Sequence, residues 1–404
     1  MRFLTSGESH GQALVAIIEG FPAKLKVAKD DLDRELARRQ MGYGRGGRMK
    51  IERDQVEILS GVRKGMTIGS PICLKISNRD WSNWSQAMAP FEQSGQEEVE
   101  IKADPVLRKV QTVVTAPRPG HADLSGALKY GFDDLRDIIE RGSARETAAR
   151  VGVGAFAKLL LKEFGINVGS YVIKIGTIGT EEAFPLTLEQ QEQVDHSPVR
   201  ALDPKVAVEM IKAIDQAKKD QETLGGIFVV YVTGLPPGLG SHVQWDRRLD
   251  GQLAQAVMSI PGIKGLEFGL GFKTAELPGS QAHDPIAYLP ERGFFRSKNN
   301  AGGIEGGISN GEPILLKAVM KPIPTLYRGL PSVDLETLEQ VRAGVERSDL
   351  TAVPAAGVVA EAMVAWILAE AFIEKFSGDS LPEIRQAFRS YQGGLGAKTG
   401  ENKK

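Results

Sequence analysis

Gly61–Lys75, GVRKGMTIGSPICLK, and Gly303–Lys317, GIEGGISNGEPILLK, share Gly, Gly, Gly, Pro, Ile, Leu and Lys at identical spacing within one chain of 404 residues. Each reads as a glycine-rich hairpin leading into an apolar strand. Two more pairs occur in the same order. Gly11–Pro22 (GQALVAIIEGFP) matches Gly225–Pro236 (GGIFVVYVTGLP), and each leads into an acidic helix start and a Leu-Asp pair, Leu32-Asp33 and Leu249-Asp250. ERGSARETAARVG from Glu140 matches ERSDLTAVPAAGV from Glu346, each opening a long Ala/Val/Leu-rich helix. Three ordered matches predict a duplicated unit of strand, helix, hairpin and long buried helix.

The predicted strands around 12–19 and 227–233 are almost continuously apolar, and the predicted helices at about 144–164 and 353–376 are apolar on most faces. Helices of that kind need cover on more than one side, so the expected fold is α+β: a pseudo-symmetric β-α-β sandwich with long buried helices between antiparallel sheets. A single domain is expected over residues 1–392, with halves at about 1–165 and 222–376, a more charged insertion at about 181–221, and a flexible polar tail at 393–404.

The chain is 42% hydrophobic and 25% charged, with 50 Lys and Arg against 51 Asp and Glu, so no global basic field draws it to nucleic acid or anionic membrane. Cys73 is the only cysteine, which excludes an internal disulfide framework and suits a reducing compartment. The N-terminus MRFLTSGESHG has no apolar leader, and the apolar stretch 355–376 is broken by Glu361, Glu370 and Glu374; the expected location is cytoplasmic, with no membrane partner.

Against that neutral background, RRQMGYGRGGRMK holds Arg38, Arg39, Arg45, Arg48 and Lys50 with no acid between Glu35 and Glu52. Arg38 and Arg39 close a helix starting near Asp31, where the macrodipole favours cations without any function. Arg45 and Arg48 stand among glycines, which allow close approach to a ligand, so they read as an anion site; an RNA-binding RGG segment is the other sharp reading. In GSARE, Ser143 and Glu146 stand in capping-box relation, and Arg145 in the first turn faces either a bound anion or a neighbouring carboxylate. Arg347 with Asp349 occupies the matching helix start of the second half. His10 in SGESHG and His121 in APRPGHAD, beside Arg118, are loop histidines suited to acid–base work on an anion, whereas His196, His242 and His283 lack such settings. No His-x-x-x-His or Cys-x-x-Cys spacing occurs, so no metal site is expected. Gly152, Gly154 and Ala157 match a dinucleotide fingerprint, but they fall inside a predicted helix, where close helix packing explains them better.

GESHGQALVAIIEGFP, RRQMGYGRGGRMKIE, APRPGHADL, ERGSARETAARV, NNAGGIEGGISNG, MKPIPTL and RSDLTAVPAAGVVAEAM, running from Gly7 to Met363, together resemble the chorismate synthase family. The resemblance implies a homotetrameric carbon–oxygen lyase that eliminates phosphate from 5-enolpyruvylshikimate 3-phosphate to give chorismate, with reduced FMN as cofactor. It also implies His10, His121 and Asp349 as catalytic residues and Arg39, Arg45, Arg48, Arg118, Arg145 and Arg347 as substrate and phosphate contacts. Flavin contacts carry over to Arg141, Gly142, Ser143, Pro261, Gly262, Gly306, Lys321, Pro322, Ile323, Pro324, Thr325 and Arg347. Two sources of reduced flavin stay open: NADPH docked on Arg39 and Arg45, or a separate flavin reductase. The rivals are a flavin-free enzyme acting on a small phosphorylated anion, which would keep its activity without FMN, and a non-catalytic polyanion-binding module, which would tolerate loss of both histidines.

Overall fold

The computed structural model describes residues 1–46, 53–91, 113–290, 292–344 and 349–398. Thus Arg48 and Arg347 lie outside the described residues. In the first half the strands are β1 (Arg2–Ser6), β2 (Ala13–Glu19), β3 (Glu57–Ser60), β4 (Val62–Arg63), β5 (Met66–Thr67) and β6 (Ile72–Ser77). Its helices are α1 (Lys29–Gln40), α2 (Trp81–Trp84), α3 (Asp123–Tyr130), α4 (Arg136–Gly142) and α5 (Thr147–Lys162). Then come β7 (Asn167–Ile175), β8 (Ile178–Gly179), α6 (Leu188–His196), α7 (Pro204–Lys219), β9 (Gly226–Thr233), α8 (Leu249–Met258) and β10 (Ile263–Phe268). The chain continues through α9 (Gly279–Ala282) and the hairpin β11 (Ile286–Leu289) and β12 (Gly293–Arg296). It ends with β13 (Ile304–Glu305), β14 (Ile308–Ser309), β15 (Ile314–Met320), β16 (Pro331–Val333), β17 (Gln340–Arg342), α10 (Val353–Phe376) and α11 (Leu381–Lys398).

Two antiparallel sheets enclose the long helices. One has the order β1-β2-β6-β3 and the other β10-β15-β9-β7-β8. The matched blocks adopt matching structure down to strand register: Ile18 opposes Ile72 in the first half, and Val232 opposes Ile314 in the second. Thr67 Oγ donates to Pro22 O at 2.7 Å and accepts from Leu25 N–H at 2.9 Å. Ser309 Oγ makes the same pair of bonds with Pro236 O and Leu239 N–H, both at 2.8 Å. Gly61 and Gly303, both with φ of 83°, pass so close to the following strand that a Cβ would lie 2.6 Å from Ile72 Cα or 2.8 Å from Ile314 Cα. A side chain at either place would separate hairpin from sheet, which is the physical reason both repeats carry glycine there.

α5 lies on the inner face of the first sheet, α10 on that of the second, and the two pack along each other, with α1 touching both. α10 is apolar all round and long enough to cross a membrane, yet 83% of its most apolar window is buried inside the protein. Gly154 of α5 takes part in this contact. A Cβ there would lie 2.3 Å from Ala362 Cβ, so the fingerprint-like glycine is a helix-crossing point.

Two boundaries and one helix cap differ from those predicted. The helix expected from 144 opens as a 3₁₀ turn, Ala144–Glu146, and becomes α-helical only at Thr147. Ser143 Oγ accepts from Arg145 N–H at 3.2 Å, but Glu146 pairs with Arg150 at 2.8 Å, so no capping box forms. The tail predicted to be flexible from 393 is helical as far as Lys398, because Phe388 and Tyr391 of α11 anchor its preceding turns against Phe376.

The outer faces of the two sheets differ. Residues from the 181–221 segment, Leu186 and Val194, cover Tyr171, Ile173, Val229 and Tyr231 on the second sheet. On the first sheet Leu4, Ile17 and Leu59 remain 69%, 44% and 53% exposed. The same segment also holds the loop after α1. Tyr43 N–H donates to Pro198 O at 2.7 Å and Tyr43 Oη to Asp215 at 2.8 Å. Gly44, with φ of 78°, sits so close to the segment that a Cβ would come 2.8 Å from Ile214 Cγ2.

Candidate active site

Three groups of side chains meet where the loops of both halves converge. The first surrounds His10, in the turn between β1 and β2. Its backbone N–H donates to Glu140 Oε2 at 2.7 Å, and its Nδ1 lies 2.8 Å from Glu140 Oε1. Ser9 N–H donates to Glu140 O at 3.1 Å, and Ser143 Oγ donates to Ser9 Oγ at 3.1 Å. The imidazole is stacked on Trp84 with centroids 3.8 Å apart, and the Arg136 guanidinium stands 5.1 Å from the same indole. Arg141 engages the strand feeding this turn, donating to Thr5 O and Gly7 O at 2.9 and 3.0 Å.

The second group is the arginine cluster. Arg145 Nη1 contacts both oxygens of Asp54, at 2.6 and 2.7 Å, while its Nε donates to Asn78 Oδ1 at 2.9 Å. A carboxylate, one of the two partners open to Arg145 in the sequence, is thus among its contacts. Arg39 donates to Thr147 Oγ at 3.0 Å and Ala144 O at 2.9 Å, with Asp54 at 3.5 Å. Burial lowers the Arg39 guanidinium to about 10, with Arg145 and Arg45 adding to the effect and Asp54 opposing it, so it remains protonated at neutral pH. Arg45 Nε lies 3.2 Å from Asp349 Oδ2, and the other oxygen of Asp349 accepts from Gly46 N–H at 2.6 Å. Arg39, Arg45 and Arg145 therefore face two acids, Asp54 and Asp349, among the described residues.

The third group surrounds His121. Its Nδ1 lies 2.5 Å from Asp123 Oδ1, and Asp123 Oδ2 accepts from Arg118 N–H and Nε at 3.0 and 2.8 Å. Burial pushes the Asp123 carboxyl up, but hydrogen bonds from His121 and Arg118 and the charge of Arg118 outweigh it and hold the carboxyl well below its ordinary range. Arg118 also reaches Thr325 Oγ at 3.2 Å. Lys321 Nζ donates to Gly120 O, and Lys321 N–H to Gly262 O at 2.9 Å. Burial, with Lys264 nearby, lowers the Lys321 ammonium. Gly142 closes against His121, where a Cβ would come 3.2 Å from Cε1, and a Cβ on Gly262 would meet Met320 Cε at 2.9 Å.

The structure thus joins Arg141 and Ser143 to the His10 group, and gathers Arg118, Gly142, Gly262, Lys321 and Thr325 around His121. Pro322, Ile323 and Pro324 continue that segment, with Thr223 Oγ donating to Ile323 O at 2.7 Å, and Pro261 precedes Gly262. Gly306 is in the turn of the β13–β14 hairpin, where a Cβ would meet nothing within 4 Å. Sequence reasoning missed Asp54, Asn78, Trp84, Asp123 and Glu140. Asp123 was detectable two residues beyond His121; Glu140 lies 130 residues from His10, and nothing local marks it.

The chorismate synthase family model matches residues 1–373. Chorismate synthase of Moorella thermoacetica is 53% identical over 400 residues, 97% of this chain and 98% of the relative. That of Aquifex aeolicus is 52% identical over 399 residues, covering 97% of each. A chorismate synthase crystal structure superposes with a TM-score of 0.76 at 42% identity, covering 98% of both chains. With matches of that length, and a fold of buried helices between two antiparallel sheets, the chain belongs to the chorismate synthase family, whose members are carbon–oxygen lyases.

Proposed function

We propose that the protein catalyses anti 1,4-elimination of phosphate from 5-enolpyruvylshikimate 3-phosphate, giving chorismate, and that it requires reduced FMN. The observation that carries this reading is the convergence of Arg39, Arg45 and Arg145 in one buried cluster beside Asp54 and Asp349, where the loop after α1 meets the start of α5. The substrate has two carboxylates and a phosphate, and guanidinium groups engage such oxygens in bidentate fashion. Arg48, Arg118 and Arg347 complete the proposed contacts.

The residues present fit a flavin. Gly142 and Gly262 leave backbone surfaces that a Cβ would fill, beside His121 and Met320, and Lys321 and Thr325 add a cation and a hydroxyl. With Arg141, Ser143, Pro261, Gly306, Pro322, Ile323, Pro324 and Arg347, these are the proposed flavin contacts. Reduced FMN, when bound, supplies electron density transiently and recovers it, so the reaction involves no net oxidation. The chain's own groups handle protons and charge. His10 donates a proton to the departing phosphate, His121 holds a positive charge beside the flavin, and the Asp349 carboxylate assists removal of the substrate proton.

The same reading carries several further proposals. They are a homotetramer, a cytoplasmic location, two related halves at about 1–165 and 222–376 around an insertion at about 181–221, and NADPH or a separate reductase as the source of electrons. The test is phosphate release under anaerobic conditions with chemically reduced FMN, repeated with oxidised FMN plus NADPH and without flavin. Release with reduced FMN alone is the expected result, release in the NADPH arm adds intrinsic flavin reduction, and release without flavin overturns the proposal.

A further inference from the structure

The two histidines sit in the same arrangement, although they come from unrelated loops. Each presents Nδ1 to one oxygen of a buried carboxylate, Glu140 for His10 and Asp123 for His121. In each case the second oxygen is committed elsewhere. Glu140 Oε2 accepts from the backbone N–H of His10 itself, and Asp123 Oδ2 accepts from the N–H and Nε of Arg118. Neither carboxylate can rotate away without losing those bonds. The Arg118 Nη2 is 3.1 Å from His121 Nδ1 and 3.2 Å from Asp123 Oδ1. A cation cannot accept a hydrogen bond, whereas the carboxylate accepts one from both, so the proton on Nδ1 belongs to the Asp123 contact.

Helix α4 connects the two dyads. Glu140 fixes His10 near the end of the helix, and Gly142, two residues on, abuts the His121 ring. Trp84 closes the face of His10, and Arg136 stands behind that indole and 3.9 Å from Glu140 Oε1. Among the described residues, the charged groups around His121 include Arg118, Asp123 and Lys321, the last through Gly120 O.

We propose that Glu140 and Asp123 are positioning residues, each holding one catalytic histidine in the Nδ1–H tautomer so that both act through Nε2. Free neutral histidine divides its proton between the two nitrogens, and a carboxylate on Nδ1 selects one form and one ring orientation. Any proton exchanged with ligand is then the one on Nε2, while the Nδ1 proton stays with the carboxylate. The histidines' catalytic role rests on the proposed function; their tautomers do not.

The geometry supplies an exacting test. In Glu140→Gln the amide oxygen must stay on the His10 backbone N–H, which turns the NH2 group toward Nδ1. In Asp123→Asn the oxygen stays on Arg118, with the same consequence for His121. Each variant is therefore expected to force its own histidine into the Nε2–H tautomer. Long-range 1H–15N spectra of 15N-histidine-labelled full-length protein, assigned with His10→Ala and His121→Ala, read this without any activity. In parent protein above the imidazole titration, His10 and His121 should both be Nδ1–H. Each variant should switch one of them and leave the other, with kcat for phosphate release falling on the order of 10²-fold or more and KM changing less. An Nε2–H signal at either histidine in the parent, or no switch in a variant, overturns the proposal. If one variant does not fold, the other decides, because the two dyads share no residue. Loss of phosphate release in the parent with the predicted tautomers intact would instead defeat the reading of the reaction.

Discussion

Arg38 and Arg39 are neighbours in sequence and close the same helix, yet they belong to two ion clusters built on different principles. Arg38 donates to Glu361 through both terminal nitrogens, at 2.7 and 2.9 Å, and to Asp195 and Glu35. Lys158 and Arg200 join on the same acids, and Ser170 donates to Glu361 Oε1 at 2.6 Å. Three cations there meet three acids, and the cluster ties α1, α5 and α10 to β7 and the α6 region. One residue on, a rotation of about 100° around α1 points Arg39 to Asp54, Thr147 and Ala144, in a cluster that, among the described residues, also holds Arg45, Arg145 and Asp349. A balanced buried cluster is complete within the chain. The second cluster is the one proposed above to receive an anion, so the two arginines are expected to differ as structural and functional groups.

Four measurements test that division, from the largest expected effect to the smallest. Glu361→Gln takes the central carboxylate from Arg38, Lys158 and Arg200, and is expected to cost about 3–5 kcal/mol, seen as a large fall in Tm. Burial raises the Glu361 carboxyl, but Arg38, Lys158 and Arg200 hold it far below its ordinary value of 4.5. Its contribution is therefore fully present above the unfolded value and lost as pH falls through the folded one, so the gap in Tm between parent and variant should narrow on acidification. A constant gap from neutral to acid pH would remove Glu361 from its place as the charged centre of the structural cluster.

Arg39→Ala should do the reverse. We expect kcat/KM for phosphate release to fall about 10²–10³-fold, corresponding to about 2.7–4 kcal/mol of lost transition-state stabilisation, with a much smaller change in Tm than Glu361→Gln produces. An Arg39 variant that melts as early as the Glu361 variant would erase the distinction between the clusters. Gly154→Ala probes the packing between them, since its Cβ would overlap Ala362, and a loss of about 1–3 kcal/mol in denaturant unfolding is expected. Arg2→Ala removes an exposed pair with Glu19 on the open face of the first sheet, where about 0–1 kcal/mol is expected; a larger loss would mean that face is covered in solution.

Most of the architecture was legible in the chain because duplication shows as repeated spacing. Gly61 and Gly303, Pro22 and Pro236, and Ile18 and Val232 each occupy the same place in their half. α10 was legible from its apolar faces, and the arginine loop from its contrast with a neutral whole. The boundaries that differed lie where local signals compete with tertiary ones. Ser143 and Glu146 have the right spacing for a capping box, but Arg150 one turn away takes the glutamate. Gly393 and Gly394 are poor helix residues, yet α11 is already anchored by Phe388 and Tyr391 when it reaches them.

The amino-acid sequence by itself determined the repeated unit, the buried helices and the residue types of the site, because periodicity, glycine placement and local charge are properties of neighbouring residues. Only the tertiary structure decided which arginine meets which acid. Glu361 lies 323 residues from Arg38, Asp54 lies 91 from Arg145, and Glu140 lies 130 from His10. Those pairings arise where strands and helices from both halves converge, and over such separations the chain carries no local trace of them. Which arginines serve the core and which stand in the candidate site is decided only by those partners.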